Sequence, residues 1–578
     1  MSNNTNELEQ EASKPISVLI VGCGPAGLIN ARTLLQDGFK VTIVAKMELV
    51  DVGDIPTQIL TTNSPWGSFT FSGLDMPKPS NLDGSVVPAR TYRRYLEDFY
   101  HYFIKDEAEV LFNVNVLSLS PQDDNERGWT VQLRAGAQEE TKYFDRVILA
   151  TGYLGQPYVP DIFKSSPIPT FHTSALSYPS EIDKILASVP SSSDKPDQHG
   201  GKDHILVVGG GKSGMDTAAL LSNRGKKVIW SSRGPLKWFS PVSPPGMMGA
   251  NRMDIMFGPS RVIDSWTMWF YHCTSLGAGW VRGFWTLMTG AWSRLYTGVL
   301  SPPTSDPYLS LCHFAGGIAT TPTNFLPLLR DGQLSSLRDA SPTSIDEDGV
   351  AFKVANGHET AKVQCGATVL ATGYRGGTYD FINETLRHQL GLERVPPPPG
   401  SRARVLALRK SWKTVQSEDV GSIQLPLVLR GILPLGRFKQ KDLAITGATK
   451  PLFIPAITYE VESHWISSLF RDDPFLNLPQ DANACLKEIN ADNDFTRARY
   501  PGLDPYASTP SGTYFSGFND LSYTRVLLSD MSLNPWRQKD PAKKWWKIWS
   551  MGWLDVRVNP AQYATLGEER KLLRRKTR

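Results

Sequence analysis

Cysteine is scarce. Cys23, Cys273, Cys312, Cys365 and Cys485 are odd in number and far apart in 578 residues, so there is neither a disulfide framework nor the C-x-x-C spacing of a zinc site or redox pair. No metal is expected, and a reducing, cytoplasmic setting follows. Charge imbalance is slight as well. With 61 Lys and Arg against 57 Asp and Glu the net charge is +4, which gives no electrostatic case for a nucleic-acid partner. Long apolar runs are missing. The stretch 265–281 has no formal charge if His272 is neutral, yet Ser, Thr and Gly interrupt it, and it is too short and polar to span a bilayer. Residues 1–15 are polar and acidic, without the basic-then-apolar order of a leader, and are expected to form a disordered arm.

Glycine, by contrast, is placed with a pattern. The apolar run Val18–Val21 breaks at Gly22, Gly24 and Gly27, and Leu28, Ala31, Leu34 and Leu35 follow at helical spacing. Strand, tight turn and helix in that order make a dinucleotide cradle. Gly22 permits the turn, Gly24 lets the backbone approach a pyrophosphate, and Gly27 allows close helix–strand contact. Uncapped N–H groups and the positive end of the helix dipole then attract the phosphates. A second strand, Lys40–Ala45, completes the unit.

The pattern recurs. His204–Val208 leads into Gly209, Gly211 and Gly214, and Lys227–Trp230 supplies the following strand. A whole domain fits between the two turns, so one chain offers seats for two redox nucleotides. The edges differ. Twenty-three residues beyond its first glycine the second unit has Ser232, then Arg233, which favours NADPH with Arg233 on the 2′-phosphate. The first unit has Ala45 there, where an acid would hold the ribose; Glu48 from a shifted loop, or backbone and water, are the alternatives.

Between these units, residues 47–81 read as a long functional loop containing Asn63, and Arg90–Phe103 as an amphipathic helix. Two strands end alike, in Ala150-Thr151-Gly152-Tyr153 and Ala371-Thr372-Gly373-Tyr374, where an open α/β sheet places its ligand crevice. Residues 235–303 are crowded with tryptophan, and three readings stay open: a substrate pocket, a patch lying on a membrane, or plain core. The basic end, 570–578, reads as a solvated tail or as an anchor for anionic lipid.

Taken in order, the Gly22–Gly27 turn, the Thr62-Asn63-Ser64 loop, the first Ala-Thr-Gly-Tyr, the Gly209–Gly214 turn with Ser231-Ser232-Arg233, the second Ala-Thr-Gly-Tyr and Ile445-Thr446-Gly447 resemble the flavin-containing monooxygenase family, with its fungal members and related Baeyer–Villiger enzymes. The resemblance spans roughly residues 16–470. It implies an α/β fold of two Rossmann-like dinucleotide-binding domains: an FAD domain in two parts (16–190 and 376–470), a linker (191–203), an interrupting NADPH domain (204–375) with the aromatic insertion 235–303, and a C-terminal extension (471–578). It further implies that FAD, reduced by NADPH, reacts with O2 to a hydroperoxide that gives one oxygen atom to an apolar organic substrate.

Carried over by residue, Gly22, Gly24, Gly27, Glu48, Thr151, Gly152 and Gly447 are expected at FAD, and Asn63 beside the flavin and nicotinamide. Gly209, Gly211, Ser213, Gly214, Ser232, Arg233, Thr372 and Gly373 complete the nucleotide-binding set. Arg330, followed by Asp331, resembles the Arg-Asp of Baeyer–Villiger enzymes and is a catalytic candidate, though a surface arginine before the turn at Gly332 is the reading the sequence favours. Two departures stand out: Ala45 lacks the expected acid, and the linker fingerprint keeps only His172, with Ser166, Ile168 and Leu176 at its other positions. A Baeyer–Villiger enzyme acting on a ketone, an NADPH-dependent reductase without oxygenation, and an inactive flavin scaffold are the competing functions. A fungal secondary metabolite is the expected kind of substrate.

Overall fold

The computed structural model describes residues 15–46, 66–77, 87–123, 126–152, 156–192, 194–197, 199–233, 238–239, 258–261, 266–297, 317–318, 325–354, 360–375, 379–415, 423–449, 451, 454–500, 520–537 and 559–577. The N-terminal arm, Glu48, Asn63 and Cys312 lie outside them.

The first unit starts with β1 (Ser17–Val21), α1 (Pro25–Gln36) and β2 (Lys40–Ala45). Then come α2 (Ala89–Phe103), β3 (Glu109–Phe112), a three-stranded meander β4 (Val114–Pro121), β5 (Trp129–Ala135) and β6 (Gln138–Phe144), and β7 (Arg146–Leu149). The second unit is entered through β8 (Gln156–Pro157), β9 (Thr170–His172) and α3 (Pro179–Ala187). It continues with β10 (Gly200–Val208), α4 (Lys212–Asn223) and β11 (Lys227–Ser231).

Beyond the short strands β12 (Trp238–Phe239) and β13 (Gly317–Ile318) lie the aromatic helices α5 (Trp266–Cys273) and α6 (Ser275–Thr297), and then α7 (Phe325–Arg330). Strands β14 (Ser335–Leu337), β15 (Ala340–Ile345), β16 (Gly349–Val354), β17 (Thr360–Leu370) and β18 (Tyr374–Arg375) finish this part. The chain returns through α8 (Glu384–Leu390), α9 (Ser401–Ser411), the hairpin β19 (Val428–Leu429) and β20 (Leu433–Pro434), and β21 (Leu443–Ile445). Four helices close it: α10 (Pro455–Phe470), α11 (Ala482–Arg499), α12 (Asp520–Asp530) and α13 (Leu566–Thr577).

The first sheet is parallel throughout, in the order β21-β7-β1-β2-β3. Its strands are apolar on both faces because both are covered. Val18, Ile20, Val41 and Ile43 pack against Leu28, Ala31 and Leu34 of α1 and Ile457, Val461 and Trp465 of α10. Leu19, Val21, Val44 and Leu149 face Trp129, Val131 and Leu133 of the meander and Leu386 of α8.

The second sheet runs β14-β11-β10-β17-β16-β15, with β9 paired to β17. In each sheet the strand before the glycine turn, β1 or β10, lies between parallel neighbours on both sides. That is the switch point where doubly wound sheets bind ligands.

Two boundaries differ from the sequence reading. Residues 156–189, assigned above to the first domain, pack on the second: β9 joins its sheet, and Ile182, Ile185 and Val189 enter its core. The linker also stops earlier, since β10 begins at Gly200 and pairs Gly200 and Gly201 with Gln364 and Cys365. Composition marks where a chain is polar, whereas strand pairing decides which sheet it serves.

The basic end is a docked helix and no free tail. Arg570 of α13 is fully buried, bonding Asp37 at 2.8 Å and Ser468 Oγ at 2.8 Å, and Arg574 bonds Asp37 and Asp473. Burial by itself would raise the Asp37 carboxyl, but the two guanidiniums outweigh it and hold it well below the usual carboxylate range.

Candidate functional site

The two glycine turns are near-copies in detail. Gly22 has φ +118° and Gly209 φ +138°, both in the region that only glycine adopts readily. A Cβ on Gly22 would overlap the carbonyl oxygen of Ala150, and one on Gly209 that of Ala371. A Cβ on Gly27 or Gly214 would overlap the carbonyl oxygen of Gly22 or Gly209 in turn. These four glycines are therefore demanded by the fold itself.

Gly24 and Gly211 differ. Each is the N-cap of its helix, with no side-chain cap, and a Cβ on either would meet nothing within 4 Å. Open space above uncapped N–H groups is a cradle that a phosphate fits.

Around the second turn the Trp230 indole donates to the Gly209 carbonyl at 2.9 Å. Ser232 is buried against Gly210, where a Cβ would come within 2.8 Å of the serine Cβ. Arg233 follows it, exposed at the end of β11. Ser213 lies in the first turn of α4. At the first turn Ala45 closes β2, 8% exposed, with no described acid beside it in sequence.

The two Ala-Thr-Gly turns meet. Strand β8, four residues past Gly152, pairs antiparallel with β18, which starts next to Gly373. The Tyr158 amide donates to the Gly373 carbonyl at 2.9 Å, and the Thr372 hydroxyl donates to the Tyr158 carbonyl. His172 Nε2–H donates to the same Gly373 carbonyl at 2.9 Å, while its Nδ1 accepts from the Ser174 amide at 3.1 Å. Burial lowers the imidazole below its ordinary value although that carbonyl bond raises it, so the ring is neutral at pH 7.

A polar network that sequence reasoning missed supports Gly447. Glu462, fully buried on α10, accepts from Thr446 at 2.7 Å, from Thr449 at 2.5 Å and from Tyr523 at 3.2 Å. Burial raises its carboxyl, against the lowering effect of these donors and the Gly447 amide. Nearby in the first unit, Asn30 Nδ2 donates to the Ala26 carbonyl at 2.8 Å. Past Asn63, Trp66 Nε1, Ser68 Oγ and Thr70 Oγ1 are buried without a hydrogen-bond partner among the described residues, and the Ser68 carbonyl accepts from the Ala456 amide at the start of α10. Orphaned donors and acceptors in one short loop suit a polar ligand that would complete them.

Arg330 stands apart from this set. Its guanidinium is 49% exposed and forks onto Asp331 at 2.7 and 3.1 Å, beside the turn at Gly332. The surface-arginine alternative describes that placement.

Residues 16–237, spanning both glycine turns, match the family model described as pyridine nucleotide-disulphide oxidoreductase. Over nearly the whole chain the similarity is to fungal enzymes. A FAD-dependent monooxygenase of Aspergillus nomiae is 25% identical across 90% of this chain and 93% of its own length, and another of Alternaria brassicicola is 23% identical across 96% and 95%.

The chain is thus similar to flavin-dependent monooxygenases over nearly its whole length.

Among solved structures, the fold recurs in the crystal structure of OTEMO complexed with FAD and NADP, at a TM-score of 0.54 with 15% identity, covering 90% of this chain and 99% of that one. Cys23, Cys273, Cys365 and Cys485, all described, are free thiols, and burial pushes Cys23 up to about 12, which leaves it unreactive at pH 7. No helix among the described residues is long and apolar enough to cross a membrane.

Proposed function

We propose that this protein is a flavin monooxygenase that holds FAD at the Gly22 turn and NADPH at the Gly209 turn, and oxygenates an apolar organic substrate. The observation that carries the reading is the junction β8–β18. It joins the exits of the two switch-point crevices within a few residues, the proximity that hydride passage between two nucleotides requires. When bound, FAD takes a hydride from NADPH and directs one atom of O2 to the substrate, the other leaving as water.

The chain's own share is binding, orientation and water exclusion. Gly22, Gly24 and Gly27 with the α1 N-terminus would seat the FAD pyrophosphate, while Thr151, Gly152 and Gly447 border it at the strand ends. Gly209, Gly211, Ser213 and Gly214 would seat the NADPH pyrophosphate, with Ser232 and Arg233 at the ribose and 2′-phosphate and Thr372 and Gly373 opposite. Asn63 beside the rings and Glu48 at the FAD ribose remain part of the proposal on the strength of the family resemblance. The exposed Arg330–Asp331 pair lends no support to Baeyer–Villiger chemistry. The fungal origin of the whole-length relatives supports a fungal secondary metabolite as substrate.

Product mass after incubation with NADPH, isotopically labelled O2 and a panel of apolar ketones, amines and alkenes tests this. One labelled oxygen in a product is expected. Fast NADPH-driven quinone reduction without label would make the protein a reductase.

A second reading concerns where the enzyme works. Trp266, Trp269, Trp280, Leu276 and Leu287 project from α5 and α6, each 47% exposed or more, while Met268, Tyr271, Val281 and Trp285 pack inward. Residues 265–305 contain no Asp or Glu and carry Arg282 and Arg294. An apolar, tryptophan-rich face without carboxylates suits an anionic lipid surface. Co-sedimentation with phosphatidylserine-containing vesicles, lost in a Trp266→Ser, Trp269→Ser, Trp280→Ser triple variant, is the expected result.

A further inference from the structure

One buried carboxyl has no part in the chemistry proposed above. Helix α10 is buried along almost its whole length, and its two glutamates, Glu460 and Glu462, are both 0% exposed. Glu460 is balanced by Arg32 of α1 at 2.7 Å. Glu462 instead meets neutral donors: the hydroxyls of Thr446, Thr449 and Tyr523 and the Gly447 amide. A carboxyl held in the interior by dipoles is costly, and an apolar side chain would pack α10 at lower cost. The reason for the acid lies in what it holds.

Three strand ends meet at the carboxyl edge of the first sheet. β1 leads into Gly22, whose Cβ would strike the Ala150 carbonyl oxygen just past β7. At the end of β21 the Thr446 amide donates to the Leu149 carbonyl at 3.0 Å, and a Cβ on Gly447 would come within 2.8 Å of the Ala26 Cβ in the first turn of α1. Asn30 ties that turn to β21, its Nδ2 donating to the Ala26 carbonyl at 2.8 Å and to Thr446 Oγ1 at 3.4 Å. A path of hydrogen bonds therefore runs from the first turn of α1 through Asn30, Thr446 and Glu462 to Tyr523 of α12, whose hydroxyl is shared with the Arg430 carbonyl at 2.8 Å. Tyr523 belongs to the C-terminal extension.

Resting on the proposed FAD site, we infer that Glu462 is the positioning residue that sets the Thr446-Gly447 end of β21 against the phosphate cradle of α1, and that Tyr523 makes the C-terminal extension a working part of FAD binding. Glu462 acts through Thr446, Gly447 and Asn30. Its loss shifts a wall of the crevice and leaves the cradle itself in place.

The test is a dilution series of the full-length holoprotein, in which the fluorescence of released flavin gives the FAD dissociation constant, alongside urea melts read by circular dichroism. Glu462→Gln keeps the shape but exchanges one acceptor oxygen for a donor, and is expected to raise the dissociation constant about tenfold. Tyr523→Phe and Thr449→Val each remove one hydroxyl and should raise it about threefold, whereas Thr449→Ser, which keeps the hydroxyl, should bind as wild type. Calorimetric affinity for NADP+ should be unchanged in all four, since none of these residues belongs to the second unit. A network that only supports the fold would lower the urea midpoint of Tyr523→Phe and Thr449→Val and leave their FAD dissociation constants at the wild-type value, and that result would overturn the inference. The same two variants decide it if Glu462→Gln does not fold. Wild-type protein unable to take up FAD would overturn the site reading itself, and the inference with it.

Discussion

A Cβ on Gly22 would strike the Ala150 carbonyl, whereas one on Gly24 would enter empty space, so two glycines of one turn serve different masters. Gly22→Ala must force both the clash and a φ of +118°, and more than about 3 kcal/mol of stability should go with it. Gly24→Ala, at φ −80°, should change stability by about 1 kcal/mol or less while abolishing FAD retention. Thermal melts and flavin absorbance separate the two. His172 adds a pH dependence. Its folded pKa is depressed, so the protein gains stability above the unfolded value of 6.5 and loses it as pH falls through the lower folded one. Melting temperature should drop between about pH 7 and pH 5, and His172→Gln, which cannot take the proton, should flatten part of that slope. The sequence singled out His172 only as the remnant of a fingerprint; its bond to the Gly373 carbonyl, 201 residues away, was not legible in it.

At the scale of elements, helices and strands were largely readable because their periodicities are strong: the apolar run of β1, the spacing of α2 and the return of helical spacing in α10 all appear as elements. Docking was not readable. Helix α13 looks like a basic tail because Arg570, Arg574 and Arg575 are what a sequence displays, while their partners Asp37 and Asp473 lie far away in it. The buried Arg570 guanidinium is pushed down to about 10, chiefly by burial, and Asp37 and Asp473 oppose that penalty. Arg570→Met should therefore cost about 3 kcal/mol, since it leaves Asp37 buried with half its compensation. Urea melts would show it as a lower midpoint at unchanged slope. A midpoint within error of wild type would mean that Arg574 alone carries the clasp.

Across the whole molecule, the proposed function rests on how two similar units are joined. Gly373 has φ +84° with nothing within 4 Å of a Cβ, so Gly373→Ala adds backbone strain of about 1 kcal/mol and no clash. We expect the variant to retain FAD and to bind NADP+, and to reduce its flavin several-fold more slowly in stopped-flow mixing with NADPH, because the β8–β18 junction sets the distance between crevices. An unchanged reduction rate would detach the junction from electron transfer. The sequence by itself determined the two cradles, since a β-branched run, spaced glycines and helical periodicity are local signals whose meaning survives without neighbours. It also determined the difference in their edges, Ala45 against Ser232 and Arg233. Only the tertiary structure decided where each segment belongs: that residues 156–189 serve the second sheet, that Glu462 underpins Gly447, and that β8 pairs with β18. Those are pairings between residues tens to hundreds of positions apart, and they follow from burial and hydrogen-bond satisfaction over the whole chain, which no local window contains.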